Sequence, residues 1–182
     1  MGCCGIACGL CPRYYTDGAS RCPGCCGDGF ELLHPPCGFV TCCAKKKELE
    51  VCAECADYPC MKFAKETGEF DSFVTHAKVL SNQADIHKHG LDAFVVQQNE
   101  RIAHLTRMLK DFDDGRSKSY YCLAAALLSL DGQAKAIENA EHQITTEKIG
   151  TDDKKTCAKI LKSTLNEIAE AEQVVLKLRK KN

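Results

Sequence analysis

Apolar side chains recur at three- and four-residue steps through most of the chain after residue 61, which is the spacing of one face of an α-helix. The clearest run extends from Leu91 to Phe112, with Gly90 before it and Gly115 after it. Because glycine is common at helix boundaries, this segment predicts an amphipathic helix of about five turns.

The next segment predicts two helices in succession. Ser117 is a suitable N-terminal cap for the first, which extends to Leu130 and is apolar on every side in its middle. The second is expected to begin at Asp131 or Gly132 and to end near Glu147. An all-round apolar surface predicts that the first of these helices is buried.

A last helix is expected after the stretch from Gly150 to Asp153, where Thr151 is the expected cap and the aspartates suit the positive end of the helix dipole. Its apolar positions continue to Leu178. Residues 61–80 predict shorter helical pieces, broken at Thr67-Gly68. Together these helices predict a small bundle.

The segment 1–60 shows no sustained apolar period, and it is rich in the turn-forming residues Gly and Pro. Such a segment buries little apolar surface, so another source of folding energy is expected. Thirteen of the fifteen cysteines lie here. In a reducing cytosol, crowded thiols favour metal ligation over disulfides, and a bound structural metal contributes on the order of 10 kcal/mol.

The spacing of these cysteines favours metal sites. Three Cys-x-x-Cys pairs occur between Cys8 and Cys55, and a two-residue gap allows both sulfurs to reach one tetrahedral ion. We predict ten metal ligands: Cys4, Cys8, Cys11, Cys22, Cys25, Cys37, Cys42, Cys52, Cys55 and Cys60. Adding Cys26 and Cys43 would make three four-thiolate sites. The roles of Cys26, Cys43 and Cys3 are left open.

Two metals suit the pattern. Zinc is favoured by Cys22-Pro23-Gly24-Cys25, which is similar to a zinc knuckle, and by the loop-rich surroundings. A 4Fe-4S cluster is the alternative, because Cys4, Cys8 and Cys11 are closely spaced and followed by Pro12. The full ferredoxin run of cysteines is missing.

The order of these motifs carries a family resemblance. The motifs are Cys4-Gly-Ile-Ala-Cys8-Gly-Leu-Cys11-Pro12, Cys22-Pro-Gly-Cys25, Cys37-x4-Cys42 and Leu49-Glu-Val-Cys52-Ala-Glu-Cys55-Ala-Asp-Tyr-Pro-Cys60. Over approximately the segment 1–65, the chain resembles a cysteine-rich family of unknown function that is described as a zinc-binding domain and is frequent in anaerobic bacteria and archaea. The resemblance implies a metal-binding module and no established reaction.

The remaining composition excludes several classes of protein. With 24 Lys and Arg against 25 Asp and Glu, the chain lacks the basic footprint of a nucleic-acid binder. Its longest apolar run, Cys122 to Leu130, is far shorter than the roughly 20 residues of a membrane span. The N-terminus has no features of a secretory signal, so we expect a cytoplasmic protein.

Several polar groups outside the cysteine pattern allow a second interpretation. The segment from Arg116 to Ser119 could bind an anion at a helix start, although a simple structural cap is favoured. Cys122 could be an activated thiol there, but packing is the favoured role. His34 is expected to be a loop histidine rather than a ligand, and His87 and His89 are expected to be exposed.

These observations predict a mainly α protein, with a loop-rich multi-cysteine metal-binding module (residues 1–65) followed by a small helical bundle (residues 66–182). The expected function is metal binding at several thiolate sites, most simply structural zinc, in a module that serves another protein. An iron–sulfur protein for electron transfer or enzyme maturation in an anaerobe is the alternative. A non-enzymatic role is favoured, and the sequence does not indicate an oligomeric state.

Overall fold

A computed structural model describes residues 1–65 and 70–180, and all regular secondary structure in these residues is helical. Its α-helices are α1 (Phe30–Leu33), α2 (Met61–Lys65), α3 (Val79–His89), α4 (Leu91–Phe112), α5 (Lys118–Leu127), α6 (Leu130–Thr146) and α7 (Lys154–Ala171). Short 3-10 turns occupy Cys8–Leu10 and Cys52–Glu54, and a π-helix occupies Val40–Lys46. The prediction of a mainly α protein is confirmed.

The amphipathic helix predicted from Leu91 to Phe112 is α4, with the same bounds. A single residue, Gly90, separates it from α3. Gly90 has a φ of +88°, a conformation that favours glycine because it has no Cβ. The glycine therefore ends one helix directly before the next begins.

The boundary between α5 and α6 differs from the prediction. α5 ends at Leu127 rather than Leu130, because Leu128 is extended and Ser129 caps the following helix. The hydroxyl of Ser129 accepts a hydrogen bond from the amide of Gly132 at 2.9 Å. A serine in the apolar run therefore starts α6 earlier than expected.

Ser117 stands at the cap position of α5, as predicted, but its side chain does not cap the helix. Its hydroxyl donates to the carboxylate of Asp114 instead, at 2.5 Å. The predicted burial of this helix is confirmed, since Tyr121, Cys122 and the residues from Leu123 to Ala126 are all buried.

The last helix begins and ends differently from the prediction. Asp153, not Thr151, caps α7, because its carboxylate accepts from the amide of Thr156 at 3.1 Å. α7 ends at Ala171, and the expected continuation to Leu178 is wrong. Gln173 has a φ of +57°, which an α-helix does not contain.

The helical pieces predicted for residues 61–80 are represented by α2 and by the start of α3. The predicted break at Thr67-Gly68 lies outside the described residues. No helix in the described part of the chain is both long enough and apolar enough to span a membrane.

The chain divides into two compact units. The first contains residues 1–98 together with the chain from Leu178, and the second is Asn99–Lys177. The domain boundary predicted at residue 65 divides a metal-binding module from a helical domain. This boundary was drawn from expected function, and it stays a prediction.

The second unit has a conventional apolar core. α6 packs against α7, and the hydroxyl of Thr164 on α7 donates to the carbonyl of Ala136 on α6 at 2.9 Å. The largest completely buried side chains of this unit are Leu105, Met108, Tyr121, Leu128, Gln133, Ile137, Leu161 and Leu165. Burial of these side chains supplies the stability of the unit.

The first unit has smaller apolar clusters, and an ion pair with a buried carboxylate joins its distant segments. The side chain of Asp71 is 1% exposed and accepts hydrogen bonds from Arg179, including one at 2.6 Å to Nη2. The amide of Asp71 in turn donates to the carbonyl of Arg179 at 2.9 Å. These bonds attach the C-terminal residues to the first unit.

Candidate metal centre

All fifteen cysteines lie in described residues, and each is a free thiol there. Most of the thirteen in the segment 1–60 are buried or half-buried, and Cys26 is the exposed member. Free thiols that folding removes from water are suited to bind a soft or borderline metal ion.

Three of these thiols form the tightest group. The sulfur atoms of Cys3, Cys43 and Cys52 lie within 4.8 Å of one another, and the three residues are 2%, 3% and 8% exposed. We call them the first thiol cluster. Cys52 is among the ten predicted ligands, whereas Cys3 and Cys43 are two of the cysteines whose role the sequence left open.

Backbone and amide hydrogen bonds fix Cys3 within this cluster. The carbonyl of Cys3 accepts from the backbone amide of Cys52 at 2.8 Å and from Nε2 of Gln83 at 2.9 Å. Nearby, Nδ2 of Asn82 donates to the carbonyl of Gly5 at 2.8 Å. Two neighbouring residues of α3 therefore hold the loop that carries Cys3.

Gly5 allows this loop to approach α3 closely. It has a φ of +93°, and a Cβ at this position would lie 2.8 Å from the carbonyl oxygen of Val79. Any other residue would be strained and would push the loop away from the helix. The position of Cys3 thus depends on a glycine two residues further along the chain.

Cys43 reaches the cluster from the π-helix Val40–Lys46. The amide of Leu49 donates to its carbonyl at 3.1 Å, which closes the chain after the helix. π-Helical turns are rare in proteins, but those that occur are often found at functional sites. The buried side chains of Phe39 and Phe63 pack with Cys3, Cys43 and Cys52 in one apolar cluster. The three thiols therefore lie in surroundings of low dielectric constant.

The charge balance of the first thiol cluster favours a cation. The hydrogen bond between Cys3 and Cys52, together with burial, raises the pKa of Cys3 far above its ordinary value. Burial and the neighbouring thiol of Cys3 raise the pKa of Cys43 to about 11. A bound divalent cation favours the deprotonated form of the thiols that bind it, which would offset the raised pKa of Cys3 and of Cys43.

Cys26 is one candidate for a fourth donor. Burial and the thiol of Cys3 raise the pKa of Cys26, and Cys26 in turn contributes to the raised pKa of Cys43. A cavity of about 330 Å³ is lined by Cys26 as well as by Cys25, and it opens beside the cysteines.

The other predicted ligands fall into separate neighbourhoods. Sγ of Cys8 donates to Sγ of Cys25 at 3.3 Å. Sγ of Cys22 lies 3.3 Å from Nε2 of His34, whose ring stacks on Phe30. His34 is therefore a hydrogen-bonding neighbour of Cys22, and its expected role as a loop histidine rather than a ligand stays a prediction. Cys4, Cys11 and Cys37 lie among the half-buried or buried thiols, and Cys42, Cys55 and Cys60 line one small pocket with Cys52.

Cys3 and Cys43, whose roles the sequence left undecided, each stand next to another cysteine in the sequence. Neighbouring side chains point in different directions, so the two members of a Cys-Cys pair suit two different sites. The spacing argument counted mainly the Cys-x-x-Cys pairs and therefore left Cys3 and Cys43 undecided. The ten-residue ligand set as a whole stays a prediction.

The ammonium group of Lys47 lies beside Cys55 at the exposed edge of the cysteine-rich segment. Nζ of Lys47 donates to Sγ of Cys55 at 3.0 Å and also pairs with the carboxylate of Asp57. The hydrogen bond from Lys47 lowers the pKa of Cys55. The ammonium group therefore favours the thiolate form that metal binding requires.

The candidate anion site at Arg116–Ser119 lies beside two carboxylates of the same chain, those of Asp113 and Asp114. The amides of Gly115 and Ser117 donate to Oδ1 of Asp113, both at 3.1 Å, and the amide of Arg116 donates to Oδ1 of Asp114 at 3.0 Å. The amides of Gly115, Arg116 and Ser117 are therefore already hydrogen-bonded within the chain. The favoured side-chain cap by Ser117 is not formed either.

The two cysteines of the helical half behave as packing residues. Cys122 and Cys157 are both 2% exposed, and they lie on the buried faces of α5 and α7. The expected exposure of His87 and His89 is also observed.

Comparisons with known proteins add no assignment: no family model, no curated protein and no solved structure matches this chain. The function must therefore be argued from the thiols themselves.

Proposed function

We propose that this protein binds zinc through buried cysteine thiolates within the segment 1–65, and that the metal stabilises a module that serves another protein. The observation that carries the proposal is the first thiol cluster, in which Cys3, Cys43 and Cys52 bring three sulfur atoms within 4.8 Å of one another. Cys26 is the proposed fourth ligand.

The closeness of these sulfurs supports a site at which they share a metal. Two thiolates bound at about 2.3 Å to one tetrahedral ion lie about 3.8 Å apart, and the three sulfur atoms all lie within 4.8 Å of one another. Zinc is the proposed ion because it favours tetrahedral thiolate sites.

A structural role for the metal is supported by what surrounds it. The buried apolar side chains beside the thiols are few compared with those of the second unit, namely Phe39, Val40, Phe63 and Val79, so bound metal would add to the folding energy of the module. Membership of the zinc-binding family that the motifs resemble is part of this proposal, as are a reducing cytoplasmic location and a non-enzymatic role.

Exposed apolar side chains support a protein partner. Leu32 in α1 is 84% exposed and Met61 at the start of α2 is 75% exposed. Contiguous patches of such side chains are typical of surfaces that contact other proteins, and Leu32 and Met61 are proposed to belong to one.

Metal analysis of protein purified without oxygen tests the proposal. We expect at least one zinc ion per chain and no visible colour, and we expect Cys43→Ser to lose one ion. Cys122→Ser is the matched control, since Cys122 is equally buried but lies in α5. Less than one metal ion per chain would contradict metal binding. Brown protein that bleaches in air would instead support the 4Fe-4S alternative.

A further inference from the structure

Cys8 and Cys25 form a close pair of thiols apart from the first thiol cluster. They are 17 residues apart in the chain, yet their sulfur atoms are 3.3 Å apart, and both side chains are half-buried. In the described part of the chain, these two sulfurs belong to no group of three metal-ligating side chains such as Cys3, Cys43 and Cys52 form. Two free thiols at this distance are the reactants from which a disulfide bond is made.

The backbone holds the segments of the two cysteines side by side. The amide of Cys22 donates to the carbonyl of Arg13 at 2.9 Å, which joins the chain shortly before Cys25 to the chain shortly after Cys8. Cys8 itself begins the 3-10 turn Cys8–Leu10. A disulfide bond measures about 2.05 Å, so its formation requires the two sulfurs to approach by only about 1 Å.

Two glycines leave room for the sulfur of Cys25. A Cβ on Gly2 would lie 3.1 Å from Sγ of Cys25 and 2.8 Å from Cγ2 of Ile6, so a larger residue would press on both side chains. Gly24, directly before Cys25, has a φ of +91°, a conformation that favours glycine. The close approach of Cys25 to Cys8 is therefore accommodated by small residues on either side.

A cavity gives the pair a place to meet a small molecule. Cys25 lines the cavity of about 330 Å³, together with Phe30 and His34 from the chain that follows it. A small molecule in this cavity would lie beside Cys25, and the next sulfur, that of Cys8, is 3.3 Å from Sγ of Cys25. This arrangement assigns Cys25 as the thiol that reacts first and Cys8 as the thiol that reacts second.

We propose that Cys8 and Cys25 are a reversible dithiol–disulfide pair that exchanges two electrons with low-molecular-weight disulfides. The thiolate of Cys25 attacks one sulfur of the small disulfide, so that a mixed disulfide forms and one small thiolate leaves. The thiolate of Cys8 then attacks the sulfur of Cys25, so that the Cys8–Cys25 bond forms and the second small thiolate leaves. The two protons of the cysteines pass to the two leaving thiolates. The protein pair is thereby oxidised by two electrons, and the small disulfide is reduced to two thiols.

This activity goes beyond the proposed function, because it needs no metal and lies outside the first thiol cluster. Disulfides of reducing compartments are usually transient and serve catalysis or redox sensing, so the resting state of such a pair is two free thiols. Cys8 and Cys25 are free thiols in the structure. The metal-ligand role expected for these two cysteines from the sequence stays a prediction, and a count of bound zinc separates the two roles.

Glutathione redox buffers test the pair on the full chain. Protein purified without oxygen would be equilibrated over a series of ratios of reduced to oxidised glutathione, quenched with acid and alkylated, and its disulfides located by peptide mass spectrometry. We expect a Cys8–Cys25 cross-link that increases with the oxidised fraction and disappears when reduced glutathione is restored. Free thiols at both positions in the most oxidising buffer, or a cross-link that reduced glutathione does not remove, would overturn the proposal.

Single substitutions test the order of the two steps. Both Cys8→Ser and Cys25→Ser should lose the cross-link, but only Cys8→Ser should accumulate a mixed disulfide with glutathione, on Cys25, because the second thiol is missing. Cys122→Ser is the matched control and should keep the full cross-link, since Cys122 is buried in α5. A mixed disulfide on Cys8 in Cys25→Ser, with none on Cys25 in Cys8→Ser, would overturn the assigned order.

Zinc content of the same unaltered protein separates the pair from the proposed function, and it does not depend on the folding of a variant. We expect the number of bound zinc ions to stay constant while the cross-link forms, because the proposed ion is bound by Cys3, Cys43 and Cys52. Release of one ion in step with the cross-link would assign Cys8 and Cys25 to a metal site and overturn the redox pair. A reversible cross-link in protein purified without any zinc would contradict the proposed function and support the pair.

Discussion

In the second unit, Leu161 and Leu165 are completely buried among other apolar side chains, whereas the buried centre of the segment 1–60 contains the thiols of Cys3, Cys43 and Cys52. The helical unit follows from a repeating apolar pattern and ordinary packing. The cysteine-rich segment has no such pattern, and on the proposed function a bound metal ion contributes to its stability. One chain would therefore combine a core built from apolar side chains with one completed by a ligand.

Removal of metal should separate these two cases most strongly. A chelator under reducing conditions is expected to remove folding energy on the order of 10 kcal/mol per site from the cysteine-rich segment. Hydrogen exchange with mass spectrometry should then show lost protection around Cys43 and Cys52, with α6 and α7 still protected. Chelator that is already saturated with zinc is the control, and equal loss of protection in both units would contradict the comparison.

A cavity in the helical core should have the converse effect. Leu161→Ala is expected to destabilise the second unit by about 2–5 kcal/mol, because a completely buried side chain is removed, and to leave the metal content unchanged. Urea unfolding followed by circular dichroism, together with metal analysis, measures both. Leu32→Ala is the control, since that side chain is 84% exposed. Loss of metal from Leu161→Ala would show that the two cores are not independent.

The ion pair of the first unit offers a smaller and pH-dependent test. Although burial alone would raise it, hydrogen bonds from Arg179 and from the amide of His76 lower the pKa of Asp71 to about 2. Asp71→Asn is expected to cost about 1–3 kcal/mol at neutral pH. The contribution of the carboxylate is complete above the unfolded-state pKa of about 3.9 and is lost as the pH falls toward 2.

The difference in unfolding free energy between wild type and Asp71→Asn should therefore shrink between about pH 4 and pH 2. Taking this difference at each pH removes the effect of thiol protonation, which both proteins share. Asp17→Asn, at an exposed aspartate, is the matched control. A difference that is constant across this range would exclude the ionised carboxylate as its source.

The smallest expected effect distinguishes two neighbouring candidates for the cap of α7. Asp153→Ala should destabilise the helical unit by about 1 kcal/mol, because the amide of Thr156 loses its acceptor. Thr151→Ala, at the cap expected from the sequence, should change stability by less than about 0.5 kcal/mol. Thermal unfolding measures both, and a larger effect at Thr151 would reverse the assignment.

The helices could be predicted to the extent that local residues determine their ends. The bounds of α4 follow from Leu91 and Phe112, because glycine and a polar loop flank a long apolar stripe. The end of α7 could not be predicted, because Val175 continues the apolar period although it is 75% exposed. Apolar spacing indicates where a helix is favourable, but it does not determine the residue at which the helix ends.

The cysteine-rich segment could be recognised as a candidate metal-binding region, whereas the ten predicted ligands stay a prediction. Cys52 lies with Cys3 and Cys43, which come from distant segments and whose roles the sequence left open. Their meeting depends on hydrogen bonds such as that from Gln83 to the carbonyl of Cys3. Such long-range contacts are not encoded in the spacing between cysteines.

The bond between Asp71 and Arg179 can form only late in synthesis of the chain. Arg179 leaves the ribosome only after the whole of Asn99–Lys177, so this contact of the first unit forms after the helical unit has been translated. All thirteen cysteines of the segment 1–60 emerge much earlier. They are therefore available to metal, or to oxidation, while the segment that carries Asp71 still lacks its final partner.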